Sequence, residues 1–121
     1  MGCLVDTSIW IDHFRRKGGD PELGDLLKSS QSVFLHDFVY GELLLGGVDR
    51  SIELKDLLQY LPRATLAVQA EVEELIAARN LTGSGIGWVD AHLIASALLD
   101  GLELMTKDQK LLSVWQRIMR K

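Results

Sequence analysis

The sequence predicts an α/β fold, a short parallel β-sheet sandwiched by α-helices, and three observations lead there. Short apolar runs alternate with longer segments of helical period along the chain, the pattern of strands joined by helical crossovers. At 121 residues with 47% hydrophobic side chains, there is enough apolar material for one core without disulfide or metal staples. There is no internal repeat, no low-complexity tract and only two prolines, so a single domain over residues 1–121 is expected.

Each element follows from local chemistry. Gly2 to Val5 is an apolar run that stops at Asp6, after which Thr7 or Ser8 offers an N-cap for a helix carrying Ile9, Trp10, Ile11 and Phe14. Gly18-Gly19-Asp20-Pro21 ends that helix and opens a second over Pro21 to Ser29, with Asp20 as cap and proline in the first helical position. Ser32 to His36 reads as a second strand, and Asp37 to Leu45 as a helix terminated by Gly46-Gly47. Helices are expected near Ser51 to Tyr60 and Ala67 to Arg79, with a short strand around Pro62 to Leu66. Gly83-Ser84-Gly85-Ile86-Gly87 is a loop, and Trp88 to Leu99 is an Ala-rich helix apolar on most sides. Leu102 to Met105 is the last strand; Thr106, with Gln109 at capping-box spacing, is expected to cap a final helix.

Composition narrows the function classes. A formal net charge of −4 argues against a protein that coats nucleic acid with a broad basic surface, but not against a nuclease whose site is itself acidic. Arg15-Arg16-Lys17 and the tail cations Lys107, Lys110, Arg117, Arg120 and Lys121 read as solvated helix ends. No run approaches the roughly eighteen apolar residues of a membrane helix. The first residues have neither the basic nor the long apolar region of a signal peptide, and the single Cys3 has no partner, so a reducing cytoplasm is the expected setting. Cys3 reads as a small strand residue rather than a nucleophile.

The acids carry the chemistry. Asp6 follows directly on the first strand and Asp108 lies just past the last, so both should emerge at the carboxyl edge of the sheet, where ligands bind in this fold class. Asp90 falls in the first turn of the apolar helix. Glu42 has Phe38, Val39 and Leu45 at i−4, i−3 and i+3, which predicts a carboxylate on an apolar face, needing a counter-charge, a proton or a metal. Carboxylates gathered in one place repel strongly, and a divalent cation is the usual remedy. All-oxygen ligation favours magnesium or manganese over zinc, and His13, His36 and His92 show no ligand spacing. Each acid also has a plain structural reading: Asp6 as a helix cap, Asp90 and Asp108 as partners of helix dipoles, Glu42 as the neutraliser of a distant arginine.

These residues sit in recognisable runs: Val5-Asp6-Thr7-Ser8-Ile9-Trp10-Ile11-Asp12, then Gly41-Glu42-Leu43 with Gly46, Trp88-Val89-Asp90-Ala91-His92-Leu93-Ile94-Ala95, and Leu104-Met105-Thr106-Lys107-Asp108. Together, over nearly the whole chain and in the same order, they resemble the PIN-domain proteins and among them the VapC toxins of VapBC toxin–antitoxin pairs. The resemblance implies a PIN-like fold with four to five strands. It implies the toxin of a type II toxin–antitoxin system, a Mg2+- or Mn2+-dependent endoribonuclease that cleaves RNA phosphodiester bonds, on transfer RNA or a ribosomal RNA loop, with metal-activated water. Asp6, Glu42, Asp90 and Asp108 match the acidic quartet, with Asp6 and Asp90 as first choice for direct metal ligands; Ser8 and Thr106 match the supporting hydroxyls. A VapB-type antitoxin and a homodimer are implied as partners. Two departures stand out: the family's further short strand is replaced here by a helical tail, and Leu111 stands where an aromatic often follows the Thr-x-Asp element.

Rival readings are weaker. Gly83-x-Gly85-x-Gly87 precedes a helix, but its spacing is not that of a dinucleotide loop, it follows a helix, and no Lys-Ser/Thr completes a P-loop. No Gly-x-Ser-x-Gly supports a serine hydrolase, and a phosphoaspartate receiver would need an adjacent acidic pair beside the first strand, which is lacking. A catalytically silent PIN-like interaction module, with Trp10, Trp88 or Trp115 at an interface, is the alternative of another class.

Overall fold

The strand Cys3–Val5 (β1) has partners on both sides, which makes it the centre of the sheet. In the computed structural model, which describes residues 2–29, 32–46, 56 and 58–120, β1 pairs in parallel with β2 (Val33–Phe34) and with β3 (Glu103–Met105). The order β2-β1-β3 is parallel throughout, so every crossover must pass through a helix. Three strands are described where four to five were expected. Residues 62–66 contribute a single bridge, Leu35 to Arg63, because Pro62 lacks an N–H and only its carbonyl and the Ala64 amide bond Leu35.

The helices are α1 (Thr7–Arg15), α2 (Pro21–Leu27), α3 (Asp37–Leu45), α4 (Gln69–Ala78), α5 (Trp88–Asp100) and α6 (Gln109–Met119). The helix expected near Ser51 to Tyr60 falls largely outside the described residues, as does Gly47. Asp20 caps α2, its carboxylate accepting from the Leu23 amide at 3.0 Å, and Pro21 opens the helix as expected. Two caps differ from expectation. Asp6, not Thr7 or Ser8, caps α1, and Asp108, not Thr106, caps α6. In both cases a carboxylate displaces a neighbouring hydroxyl, because a charged acceptor at a helix N-terminus gains from the dipole as well as the hydrogen bond.

Leu4, Val5, Val33, Leu35 and Leu104 bring the sheet into a core completed by Trp10, Leu23, Val39, Leu43, Leu93, Ile94 and Trp115. Helix α6 buries Leu111, Val114, Trp115 and Ile118, a single stripe at i, i+3, i+4, i+7. Helix α5 is buried without interruption from Ala91 to Ala97 and packs on both α4 and β3. Gly101 ends it in the left-handed conformation at φ 64°, which lets the Leu102 amide turn back onto the Ala97 carbonyl at 2.8 Å and feeds the chain directly into β3. No described helix is long and apolar enough to cross a membrane.

Candidate active site

Because all three strands run the same way, their carboxyl ends share one edge, and the chemistry-bearing residues leave the sheet there. Asp6 follows β1, the Thr106-Lys107-Asp108 turn follows β3, and α3, which carries Glu42, starts just beyond β2. Helix α5 delivers Asp90 from its first turn. The N-termini of α1, α5 and α6 therefore each hold an acid, at a place where helix dipoles favour negative charge.

Asp6 is the most fixed of the four. It is buried, its backbone amide donates to the Met105 carbonyl, and one carboxylate oxygen accepts from the Thr7 amide at 2.7 Å. The other oxygen accepts from Thr106 Oγ1 at 2.7 Å and from Ser8 Oγ at 3.0 Å. Both hydroxyls are themselves oriented from behind. The Asp108 amide donates to Thr106 Oγ1 and the Lys107 amide to Ser8 Oγ, each at 3.0 Å, so both hydroxyl protons are left to point at Asp6.

The remaining acids attach to this core by separate threads. Glu42 accepts from Thr7 Oγ1 at 2.7 Å. Asp108 accepts from the Lys110 and Leu111 amides of its own helix, and Asp90 from the Gly87 amide at 3.2 Å. Burial raises the affinity of Asp90 for its proton; the Gly87 hydrogen bond works against this, and the charges of Asp6, Asp108 and Glu42 add to it. Hydrogen bonds link three of the acids, Asp6 to Asp108 by way of Thr106 and the Asp6 helix to Glu42 by way of Thr7, and Asp90 lies within electrostatic reach of all three. Among the described residues, no three His, Cys, Asp or Glu side chains already stand as a metal cage.

Glu42 needs a correction. Of its expected apolar neighbours only Val39 is buried; Phe38 is 37% exposed, Leu45 91%, and Glu42 itself is exposed. Helix α3 buries Val39 and Leu43, so the argument from a carboxylate in a core fails, while its hydrogen bond to Thr7 places it in the site on other grounds.

Sequence reasoning missed Thr7, whose hydroxyl ties Asp6's helix to Glu42 across thirty-five positions. It also missed Lys107. The Lys107 ammonium bridges Asp12 of α1 and the α2 cap Asp20, holding the turn that orients Ser8 and Thr106. No local signal marks either, since both contacts depend on strand order. Cys3 is not a nucleophile: burial chiefly, with Glu103 and Glu22 nearby, pushes its thiol up to about 11.

His36 is structural, in a way its spacing did not reveal. His36 caps α3, its Nδ1 accepting from the Phe38 amide at 3.0 Å, which leaves Nε2–H to meet Ser96 Oγ at 3.2 Å on α5. Its ring is fully buried, and burial pushes its pKa from 6.5 down to about 4, against a smaller opposing pull from Asp37. The folded state therefore refuses a proton that the unfolded state accepts. The stability this histidine supports is complete above pH 6.5 and is lost as pH falls toward 4, by on the order of 3 kcal/mol. Urea midpoints across that window should fall in the wild type and fall distinctly less in His36→Asn, which keeps a capping acceptor; parallel curves would contradict the assignment.

Comparison with known proteins agrees with this architecture. The PIN-domain family model matches residues 3–115. Over 109 residues, covering 89% of this chain and 86% of the relative, the sequence is 39% identical to Ribonuclease VapC32 of Mycobacterium tuberculosis. Among solved structures, FitAcB of Neisseria gonorrhoeae superposes with a TM-score of 0.64 at 18% identity, covering 94% of this chain and 93% of that one. PAE2754 of Pyrobaculum aerophilum gives 0.64 at 21% identity, over 94% and 84%. At such identities the two structures speak for the fold, and the family model and the closer sequence relative speak for the lineage: the chain belongs to the PIN-domain family, on the branch of the VapC ribonucleases.

Proposed function

We propose that this chain is the toxin of a type II toxin–antitoxin pair, a Mg2+- or Mn2+-dependent endoribonuclease working in the cytoplasm as one PIN domain. The observation that carries the reading is placement: Asp6, Asp90 and Asp108 stand at the N-termini of α1, α5 and α6, and Glu42 is tied to the same α1 start through Thr7 Oγ1. Kinship with a protein named as a ribonuclease supports the choice of substrate.

The residues fit a hard divalent cation. The donors are carboxylate oxygens, and an ion that keeps most of its water needs one or two of them rather than a closed cage. Asp6 and Asp90 would hold it directly, with Glu42 and Asp108 completing or orienting the shell through water. Such a cation supplies charge stabilisation on the phosphoryl oxygens and makes water a competent nucleophile near neutral pH. The chain's own part is to hold Asp6 immobile: Ser8, Thr106 and the Thr7 amide fix both its oxygens before substrate arrives. Asp90 gains from a cation, because burial first and then its neighbours disfavour its charge.

The partners implied are RNA, of transfer or ribosomal type, a VapB-type antitoxin and a second copy of the chain. Apolar surface is present for protein contacts, with Leu44, Leu45, Leu98 and Leu99 exposed. The test is cleavage of RNA by the purified chain. Activity should require Mg2+ or Mn2+, vanish in EDTA and return on adding back the metal. A chain that binds a partner yet cleaves no RNA, and melts at the same temperature with and without Mg2+, would be a silent interaction module instead.

A further inference from the structure

The glycine-rich loop, poor as a phosphate motif, lines a cleft of about 230 Å³ together with Trp88. Leu81, Thr82, Gly83, Ile86 and Gly87 line it beside the indole. Gly83 and Gly85 take φ of +76° and +91°, a path that side-chain-bearing residues adopt only with strain. Lys110 of α6 lies against Gly85, its Cδ 2.9 Å from where a Cβ would stand, which brings a cation to the same loop. The loop also touches the catalytic centre, since the Gly87 amide is the one that holds Asp90.

Trp88 is 46% exposed at the first position of α5, whereas Trp10 and Trp115 are buried in the core. Its edge is fixed by His92 one turn on, with ring centroids 4.8 Å apart at 79°. His92 in turn meets Phe38 at 4.9 Å, and Phe38 meets the buried His36 at 4.9 Å. The indole is thus the outer end of an aromatic row anchored in the core, so little side-chain entropy remains to be lost when something stacks on it. A flat apolar platform at a cleft, with a cation beside the adjoining loop and a candidate catalytic acid two residues on, suits an aromatic ring attached to a phosphate.

We propose that this cleft takes one unstacked nucleobase of the RNA, next to the scissile bond, on Trp88, which makes Trp88 a specificity-determining residue. The proposal rests on the endoribonuclease reading above and adds to it where the strand lies. Duplex RNA cannot present a base in this way without first being opened.

The test is a series of Trp88 variants on short single-stranded RNAs. Trp88→Ala should raise KM about tenfold with a much smaller change in kcat, as expected for loss of one base–aromatic stack, and should blur the preferred cleavage position. Trp88→Phe should restore binding to within about threefold, and Trp88→Leu, which keeps apolar bulk without a π-face, should behave like alanine. In a non-cleaving Asp6→Asn background, RNA should quench the fluorescence of Trp88, and Trp88→Phe should remove that signal. An active wild type whose Trp88→Leu variant matches it in KM and cleavage pattern would overturn this proposal alone. A Trp88→Ala variant that turns a dimer into a monomer while binding RNA undiminished would assign the surface to self-association and overturn it too. A wild type that neither binds nor cleaves RNA would remove the endoribonuclease reading as a whole.

Discussion

Asp6→Asn should lower RNA cleavage by about a thousandfold or more while leaving the fold intact. The expectation follows from how Asp6 is held. Its carboxylate is both the N-cap of α1 and the acceptor for the Ser8 and Thr106 hydroxyls, so charge and scaffold coincide in one side chain. Asparagine separates the two. It retains an oxygen for capping but removes the negative charge and turns an NH2 toward part of a site arranged for an acceptor. Asp6→Ala loses both, stranding the Thr7 amide and two hydroxyls, and should cost on the order of 1–3 kcal/mol of stability besides activity. Thr106→Val should fall between, losing roughly ten- to a hundredfold in rate, because Asp6 stays charged but less firmly aimed. Circular dichroism with initial rates on one RNA substrate checks the series. Wild-type cleavage by folded Asp6→Asn would remove Asp6 from the chemistry.

Much of this arrangement was legible because it depends on position along the chain. An acid at the end of a strand, in a sheet whose strands are separated by helices, must appear at the carboxyl edge, and Asp6 and Asp108 do. Helix starts at Pro21, Asp37 and Trp88 agree with the expectation, the first because the Asp20 cap and the proline at the first helical position are local signals. What failed depended on orientation. Periodicity gave Glu42 apolar neighbours but could not say that Val39 and Leu43, rather than Phe38 and Leu45, face the core. Likewise, a serine or threonine beside an aspartate is as good a cap on paper; the choice at Asp6 and Asp108 is made by which side chain can also serve the neighbouring loop. The plain and the functional readings of these acids turned out to be compatible, since a helix N-terminus is itself a place that tolerates concentrated negative charge. His36 was silent in the sequence because its partner, Ser96, is sixty residues away.

Asp90→Asn should abolish cleavage to a similar degree and yet make the metal-free protein more stable, and this opposition of signs is the sharper test of the site. Burial first, then the charges of Asp6, Asp108 and Glu42, raise the pKa of Asp90 in the folded state above its ordinary 3.8, with the Gly87 amide only partly offsetting them. An acid that binds its proton more tightly when folded supports the fold fully below pH 3.8 and loses that support as pH rises through the higher folded value. In EDTA at neutral pH, ionised Asp90 is therefore a liability. Asparagine removes it while keeping an oxygen for the Gly87 amide, so the variant should melt above the wild type, with the gap closing as pH falls toward 3.8 and Asp90 takes up its proton. His36 pulls the other way over part of the same range, but equally in both proteins, so the difference between their curves isolates Asp90. Added Mg2+ should reverse the order: it raises the wild-type melting temperature by binding the folded state and leaves the variant nearly unmoved. An Asp90→Asn protein less stable than wild type in EDTA at neutral pH would show that the four carboxylates do not press on one another, and the case for a shared cation would go with it.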